Sequence, residues 1–386
     1  MSVDGNECQM VGSTNTFIEC IPPEGQGNDI QVLVNVDGQE TYATIAYKKP
    51  VINSIDPATG PTSGSIEGSP VNVTITGENF GTKGVIQILG GPTYIRKYDH
   101  QEITFLLPEG YGENVQVLLL PQGWGEAGTA KAIFSYELPS INKILSVGDD
   151  KSRKVCESFK RCISFNGGES CVFEYPDCFP TWGCAIMEAV GENFGPGEDW
   201  RNDPPEVTLA IEGHQGYVTS TKDSENPHTR LFFTLPEGTG ENLLVQAIIE
   251  GRSSQVNVNN SYAISYDPPG ISHIHPNKSN AAGDEIVIRG ANFGPVGTNV
   301  EVTIGGSNCD NATVDRAHSV ITCTTPPTTV GSKEIEINVR GRQIIFPQWL
   351  ELLIAECKAG YVLKCGFCKK EKVASAQVQY RKRVVI

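Results

Sequence analysis

Gly77-Glu78-Asn79-Phe80-Gly81 returns as Gly191-Glu192-Asn193-Phe194-Gly195 and again as Gly290-Ala291-Asn292-Phe293-Gly294. Apolar residues lead into the block. Val71, Val73 and Ile75 alternate before the first copy, and Ile286 and Ile288 before the last, which is the period of a strand with one buried face. The glycines permit positive φ at a tight corner, and the Phe can turn into the core. A block that recurs in fixed order is a repeat, and a repeat settles the architecture before any single strand does.

Two further blocks recur in register with the first. A proline turn feeds an alternating strand: Pro23-Glu24-Gly25 before Ile30, Val32 and Val34; Pro108-Glu109-Gly110 before Val115 and Val117; Pro236-Glu237-Gly238 before Leu243 and Val245; Pro326-Pro327 before Ile335, Ile337 and Val339. A closing strand then ends in tyrosine and proline: Tyr47 and Pro50, Tyr136 and Pro139, Tyr266 with Pro268 and Pro269. Ile52, Ile141 and Ile271 open the next unit almost at once, so the linkers are short and the array is expected to be a semi-rigid rod.

The proline turn occurs once more than the asparagine corner, so the leading unit, 1–49, lacks its first strands. Complete units follow at 50–138, 139–268 and 269–355, and a cysteine-containing tail at 356–386. The interval from Phe80 to Phe194 exceeds that from Phe194 to Phe293. The excess is placed at about 145–185, where Cys156, Cys162, Cys171, Cys178 and Cys184 gather with little alternation. That segment is expected to be a disulfide-stapled loop.

Composition agrees with many short strands. Gly (41) and Pro (24) are spread along the 386 residues, and sandwiches of roughly 100 residues each fit three or four times into that length. A formal charge of -15 repels a phosphate backbone, so nucleic acid is not expected as a partner. No apolar run approaches the length of a membrane span, and Met1–Met10 has neither the basic start nor the apolar run of a signal peptide. A secreted-type chain without a leader suggests that the sequence begins partway into a longer protein or lacks its first exon.

With these residues in view, the Pro-x-Ile opening, the Gly-x-Asn-Phe-Gly corner, the proline turn and the closing tyrosine resemble the IPT/TIG family. These are immunoglobulin-like domains found in plexins, fibrocystin-like surface proteins and some transcription factors. The resemblance covers about residues 1–355 and implies an all-β chain of tandem sandwiches in an extracellular or cell-surface setting. It also implies disulfides at Cys8 with Cys20 and at Cys309 with Cys323, each closing a loop of about 15 residues and contributing roughly 3 kcal/mol. In the second domain Gly90-Gly91 and Leu107 are expected where those cysteines would stand. Cys357, Cys365 and Cys368 resemble the opening of a small ephrin-receptor-like cysteine repeat, and are expected to be disulfide-bonded.

No catalytic pattern appears: no His-Glu-x-x-His, no Gly-x-Ser-x-Gly, no phosphate-cradling glycine loop and no EF-hand spacing. The chain is expected not to be an enzyme and to need no cofactor. Asp149-Asp150 reads as part of a solvated loop. Cys365 and Cys368 have the spacing of a zinc half-site without a second pair, and His273 and His275 share a strand face without a third ligand. No metal is expected. Sequons at Asn72, Asn259, Asn277 and Asn311 are candidates for N-linked glycans. Asn72 lies out of phase with Val71 and Val73 and is expected to face solvent.

The two ends of the chain are mismatched. Val32 and Val34 lack the strands they would pack against, while Ala374, Ala376, Val378 and Tyr380 alternate with polar residues as a strand without a domain. A strand from one molecule could complete the defective sandwich of the next, head to tail, building a filament. The simpler alternative is that the missing strands belong to the same polypeptide. Three function classes stay open. One is a structural or adhesive surface glycoprotein that binds itself, and the second a ligand-binding ectodomain fragment of a plexin-like or fibrocystin-like receptor. The third, a DNA-binding transcription factor, has only Arg381-Lys382-Arg383 in its favour.

Overall fold

The computed structural model describes residues 1–147, 163–165, 168–170, 179–201, 204–254, 263–276, 284–326, 331–352, 361–364 and 367–370. The leading domain contributes β1 (Ser2–Val3), β2 (Asn6–Glu7), β3 (Gln9–Ser13), β4 (Ile18–Ile21), β5 (Ile30–Val36) and β6 (Gln39–Ile45). They form a sheet in the order β2-β1-β5-β6 and a separate β3-β4 hairpin.

The second domain shows what a complete unit contains. Its strands are β7 (Val51–Asp56), β8 (Thr59–Gly60), β9 (Ser65–Ile66), β10 (Ser69–Pro70), β11 (Asn72–Glu78), β12 (Gly84–Ile88), β13 (Gly91–Pro92), β14 (Ile95–Tyr98), β15 (Glu102–Leu106), β16 (Val115–Pro121) and β17 (Ala130–Tyr136). One sheet runs β14-β15-β11-β7 and the other β13-β12-β16-β17-β8, with β9 and β10 a small hairpin aside. Alternation along the strands sends Val73, Ile75, Ile103 and Phe105 from one sheet, and Ile86, Ile88, Val117 and Leu119 from the other, into a common core where all are fully buried. Each such side chain contributes about 1.5–3 kcal/mol on burial.

The recurring corner is built for close approach as much as for its turn. A Cβ on Gly77 would stand 2.0 Å from the Val51 carbonyl oxygen and 2.7 Å from the Phe80 ring. Gly191 and Gly290 would meet the oxygens of Ser140 and Gly270 at 1.9 and 1.8 Å. Positive φ falls instead on the asparagines, 61° at Asn79, Asn193 and Asn292, and on the closing glycines Gly81, Gly195 and Gly294. Asparagine is among the few side chains that tolerate this region. Phe80, Phe194 and Phe293 turn inward and are fully buried.

The proline turn and closing tyrosine also meet. Tyr47, Tyr136 and Tyr266 donate their hydroxyls to the carbonyls of Pro23, Pro108 and Pro236 at 2.9, 3.0 and 2.8 Å. The third residue of each turn must be glycine, because a Cβ on Gly25, Gly110 or Gly238 would lie 2.5–2.6 Å from that ring.

In the third domain, strands Ser140–Ser146, Ile186–Glu192, Arg230–Thr234 and Val218–Lys222 join Val207–Ile211, Leu243–Ile249 and Arg252–Ser253 in one continuous sheet folded over its core. Phe179 makes a parallel bridge to Tyr266, the place held by β8 beside Tyr136 in the second domain. The sandwich therefore resumes at Phe179, and the insertion lies between Val147 and Phe179, narrower than the expected 145–185. Its described part is a hairpin of Ile163–Phe165 with Gly168–Ser170. Cys156, Cys162, Cys171 and Cys178 lie outside the described residues. Cys184 corrects the expectation of a fully bonded set: it is a free thiol, placed by a turn whose amide donates to the Leu235 carbonyl. Partial burial pushes its pKa up, which disfavours the reactive thiolate.

The fourth domain pairs a sheet of Gly270–His275, Glu285–Ala291, Val320–Thr324 and Asp310–Arg316 with one of Ser307–Asn308, Val300–Ile304, Gly331–Val339 and Arg342–Leu352. Cys309 is bonded to Cys323, as Cys8 is to Cys20. Register locates the same two places in the second domain. Cys323 faces Ile286 as Phe105 faces Val73, and the Cys309 amide bonds Val302 as the Thr93 amide bonds Ile86. The places are thus held by Thr93 and Phe105, not by Gly90-Gly91 and Leu107. A buried phenyl ring fills in one domain the space that a disulfide spans in another. Cys309→Ala or reduction is expected to cost the fourth domain about 3 kcal/mol, read by urea unfolding with and without reductant, and to leave the second domain unmoved.

Beyond the fourth domain, Tyr361–Lys364 pairs with Phe367–Lys370, which carries Cys368. Cys357, Cys365, Ala374, Ala376, Val378 and Tyr380 lie outside the described residues.

Candidate functional site

The asparagine corner reaches beyond its own domain. Asn193 Oδ1 accepts the amide of Thr62, in the preceding domain, at 3.0 Å, while Asn193 Nδ2 donates to the Leu138 carbonyl at 3.3 Å and to Glu137 at 3.1 Å. The Thr62 hydroxyl meets His228 Nδ1 at 3.0 Å, and His228 Nε2 meets Glu109 at 3.4 Å. Second and third domains are held by an Asn, Thr, His and Glu set, two residues from each.

The same set recurs one junction further on. Asn292 Oδ1 accepts the Thr181 amide at 3.4 Å and Nδ2 donates to the Pro268 carbonyl at 3.3 Å; the Thr181 hydroxyl meets His318 Nδ1 at 2.9 Å, and His318 Nε2 meets Glu237 at 3.2 Å. Arginines add to both junctions: Arg201 donates to the Ile88 and Leu89 carbonyls, Arg252 to Tyr136, and Arg340 to Gly213. Tyr111 also packs edge-on against Trp200 across the second-to-third junction.

A hydroxyl, imidazole and carboxylate in sequence have the connectivity of a hydrolytic triad. Here the hydroxyl belongs to a residue only 2% exposed in one copy and 0% in the other, buried between domains. The arrangement ties domains together.

Burial holds His228 and His318 below the usual imidazole value; Glu109 and Glu237 pull upward, and the Lys222 ammonium adds to the downward push on His228. Between the depressed folded value and the unfolded one, the unfolded chain binds more protons, so stability rises with pH. The histidine contribution is complete above about pH 6.5, the unfolded value, and is lost as pH falls through the folded values. Asp267, beside the last junction, acts in the opposite sense. Burial raises its carboxyl to about 6 against the pull of Arg342, so its contribution is present below its unfolded value and lost as pH rises through about 6. Acidification from about pH 7 to 5 should loosen the second-to-third junction more than the third-to-fourth. Single-molecule energy transfer across each junction checks this, and equal loosening would refute it.

The first junction keeps only part of the set. Asn79 Nδ2 donates to the Lys49 carbonyl at 3.3 Å, and Gln26 bridges to the amides of Thr82 and Lys83 and to the carbonyls of Lys83 and Gln122. His100 stands where His228 and His318 stand, since its carbonyl accepts the Phe80 amide as theirs accept Phe194 and Phe293. Its Nδ1 is buried with no hydrogen-bond partner.

The leading domain is open on the same side. In the second domain β15 pairs with β11 and β17 with β8, but β4 and β6, which occupy the corresponding places, pair with no further strand among the described residues. Ile18 is 37% exposed where its counterpart Ile103 is fully buried, and Phe17 and Ile21 are about half exposed. The buried core shrinks to Val3, Cys8 and Val32.

The family model of the IPT/TIG domain matches residues 50–136 and 269–348. Those two segments are IPT/TIG domains. The third domain repeats their corner, tyrosine clamp and junction contacts, and the leading domain repeats the proline turn and tyrosine clamp. No curated protein sequence matches the chain. Among solved structures, the chain is similar to one determined with a xylogluco-oligosaccharide (15% identity, TM-score 0.32, 78% of this chain and 60% of that one). It is also similar to the plexin A4 extracellular region (16%, 0.23, 78% and 24%) and to an Escherichia coli adhesin (13%, 0.23, 80% and 96%). The chain spans less than two thirds of the first two, and likenesses this low carry no functional argument.

The IPT/TIG framework places the remaining sequence candidates. His273 and His275 are exposed on the opening strand of the fourth domain, and among the described residues no group of three His, Cys, Asp or Glu side chains could hold a metal. No helix among them is long and apolar enough to cross a membrane. Asn72 and Asn311 are exposed; Asn259 and Asn277 lie outside the described residues. An open groove of about 540 Å³ on the outer sheet face of the third domain is lined by Glu206, Thr208, Tyr217, Gln246 and Glu250 among others, with no nucleophile or base paired in it. Sequence reasoning missed the junction set. Its signal was present: Thr62 and Thr181 each stand two residues before a glycine, and each corner is followed by its histidine.

Proposed function

We propose that this chain is an extracellular, non-catalytic structural or adhesive protein, a semi-rigid array of IPT/TIG sandwiches that associates head to tail through its leading domain. The observation that carries this is the pair of free strand edges on β4 and β6 beside exposed Phe17, Ile18 and Ile21. Unpaired edges next to uncovered apolar side chains bind strands from other chains. The segment bearing Ala374, Ala376, Val378 and Tyr380 is the proposed donor strand for the β4 edge. Two disulfides support an oxidising compartment, and the exposed sequon residues Asn72 and Asn311 are expected to carry glycans there.

Sedimentation velocity and negative-stain imaging test the proposal. The full chain should grow into regular fibres with concentration, and a variant ending at residue 370 should not. A full chain that stays monomeric at every concentration would refute it.

A further inference from the structure

We propose that the open groove on the outer sheet face of the third domain takes an extended basic segment of a partner protein, with one arginine held by Glu206 and Glu250 and a second stacked on Tyr217. The groove lies outside the leading domain, so the proposal stands apart from head-to-tail association. Its volume of about 540 Å³ is within the range of sites that hold small ligands.

The molecule supplies its own comparison. Gly84 with Pro121, Val207 with Ile249 and Val300 with Val339 are the same strand pair in the second, third and fourth domains, since the first strand of each ends at Ile88, Ile211 and Ile304. One residue outside that pair the second domain has Lys83 and Gln122, the fourth Asn299 and Arg340, and the third Glu206 and Glu250. A basic residue with an amide thus gives way to two carboxylates in the third domain. Like charges on neighbouring strands cost stability, so the sandwich itself gains nothing from them. Neither carboxylate accepts a hydrogen bond or meets a cation among the described residues, whereas Glu212 nearby accepts the Leu244 amide.

No lysine, arginine or histidine lines the groove. Arg252, between the lining residues Gly251 and Ser253, donates instead to the Tyr136 carbonyl. The charge therefore suits a cation and repels phosphate, sulfate and carboxylate ligands. Tyr217 marks the other end. It borders Ala210, because Leu209 pairs with Val218, and is 68% exposed. From Ala210 back to Glu206 is about 13 Å of strand, with the Thr208 and Ile248 pair between. An extended peptide puts residues i, i+2 and i+4 on one face over the same span. The occupant follows: a cation at i for the carboxylates, an apolar residue at i+2 for Ile248, and a cation at i+4 over the Tyr217 ring. Arginine fits both ends better than lysine, since its planar fork binds carboxylates bidentately and stacks on aromatic faces.

The probe is the peptide Arg-Ser-Val-Ser-Arg, blocked at both ends and fluorescently labelled, titrated with the full chain and followed by anisotropy. Saturable binding with a Kd at or below about 1 mM is expected at low salt, weakening as salt is raised. Glu206→Gln with Glu250→Gln should weaken it at least tenfold and Tyr217→Ala at least threefold. Tyr217→Phe should change it little, because the ring and not the hydroxyl makes the contact. Citrulline in place of both arginines, similar in shape and uncharged, should abolish binding. All three side chains are exposed, so circular dichroism and the unfolding midpoint of each variant should match the parent chain. Binding that survives the carboxamides or the citrulline peptide would overturn the proposal, as would no saturable binding in the millimolar range. Cellotetraose binding that is lost with Tyr217→Ala but kept by the carboxamide variant would also overturn it, by assigning the groove to a neutral sugar.

Discussion

Phe194→Ala is expected to lower the stability of the third domain by about 3–5 kcal/mol, a large share of the 5–15 kcal/mol typical of a whole domain. The ring is fully buried and is the point where the corner closes over the sheet. Its loss removes apolar burial and leaves a cavity walled by residues that cannot collapse. Trp182 and Trp200 lie in the same domain, so urea unfolding followed by tryptophan fluorescence reports the effect. Gly191→Val should be at least as severe, because its Cβ would stand 1.9 Å from the Ser140 carbonyl oxygen and the opening strand would have to move. A change below about 1 kcal/mol for Phe194→Ala would remove the corner from the core.

Asn193→Ala together with His228→Ala should leave both neighbouring domains folded but untie them. The pair strips partners from the Thr62 amide and hydroxyl, and a buried polar group left unpaired costs about 1–3 kcal/mol. That cost falls on the junction, because the domains can separate and let water satisfy Thr62. Pulsed electron spin resonance between labels on the second and third domains should change from a narrow to a broad distance distribution, with the unfolding midpoint of each domain little moved. Asn79→Ala at the first junction should broaden the corresponding distribution far less, since its side chain makes only the bond to Lys49 among the contacts found there. Equal broadening at both junctions would show that the asparagines act within their own domains alone.

The strands were legible because they rest on one-dimensional patterns. Val73 and Ile75 alternate, Phe80 follows at a glycine corner, and Tyr136 ends the unit; each constrains only its own sandwich. The junctions were not legible, because Thr62, Glu109, Asn193 and His228 are distant in sequence and none is unusual alone. Only the fold shows that the corner asparagine, read as a turn residue, faces the preceding domain. Sequence position misled at the disulfide places of the second domain, where Phe105 and not Leu107 stands in place of a cysteine. Cys184 was drawn into the cysteine-rich insertion by proximity, although the sandwich has already resumed at Phe179.

Hydrogen exchange on the leading domain tests the central claim most directly, that this domain is an incomplete sandwich whose β4 and β6 edges await a strand. In dilute solution the amides of Ile18–Ile21 and Gln39–Ile45 that point away from their paired neighbours should exchange rapidly. Those of Ile18–Ile21 should become protected on assembly, while the second, third and fourth domains stay unchanged. Edge amides already protected in the isolated chain, or equally exposed in the assembled one, would contradict it.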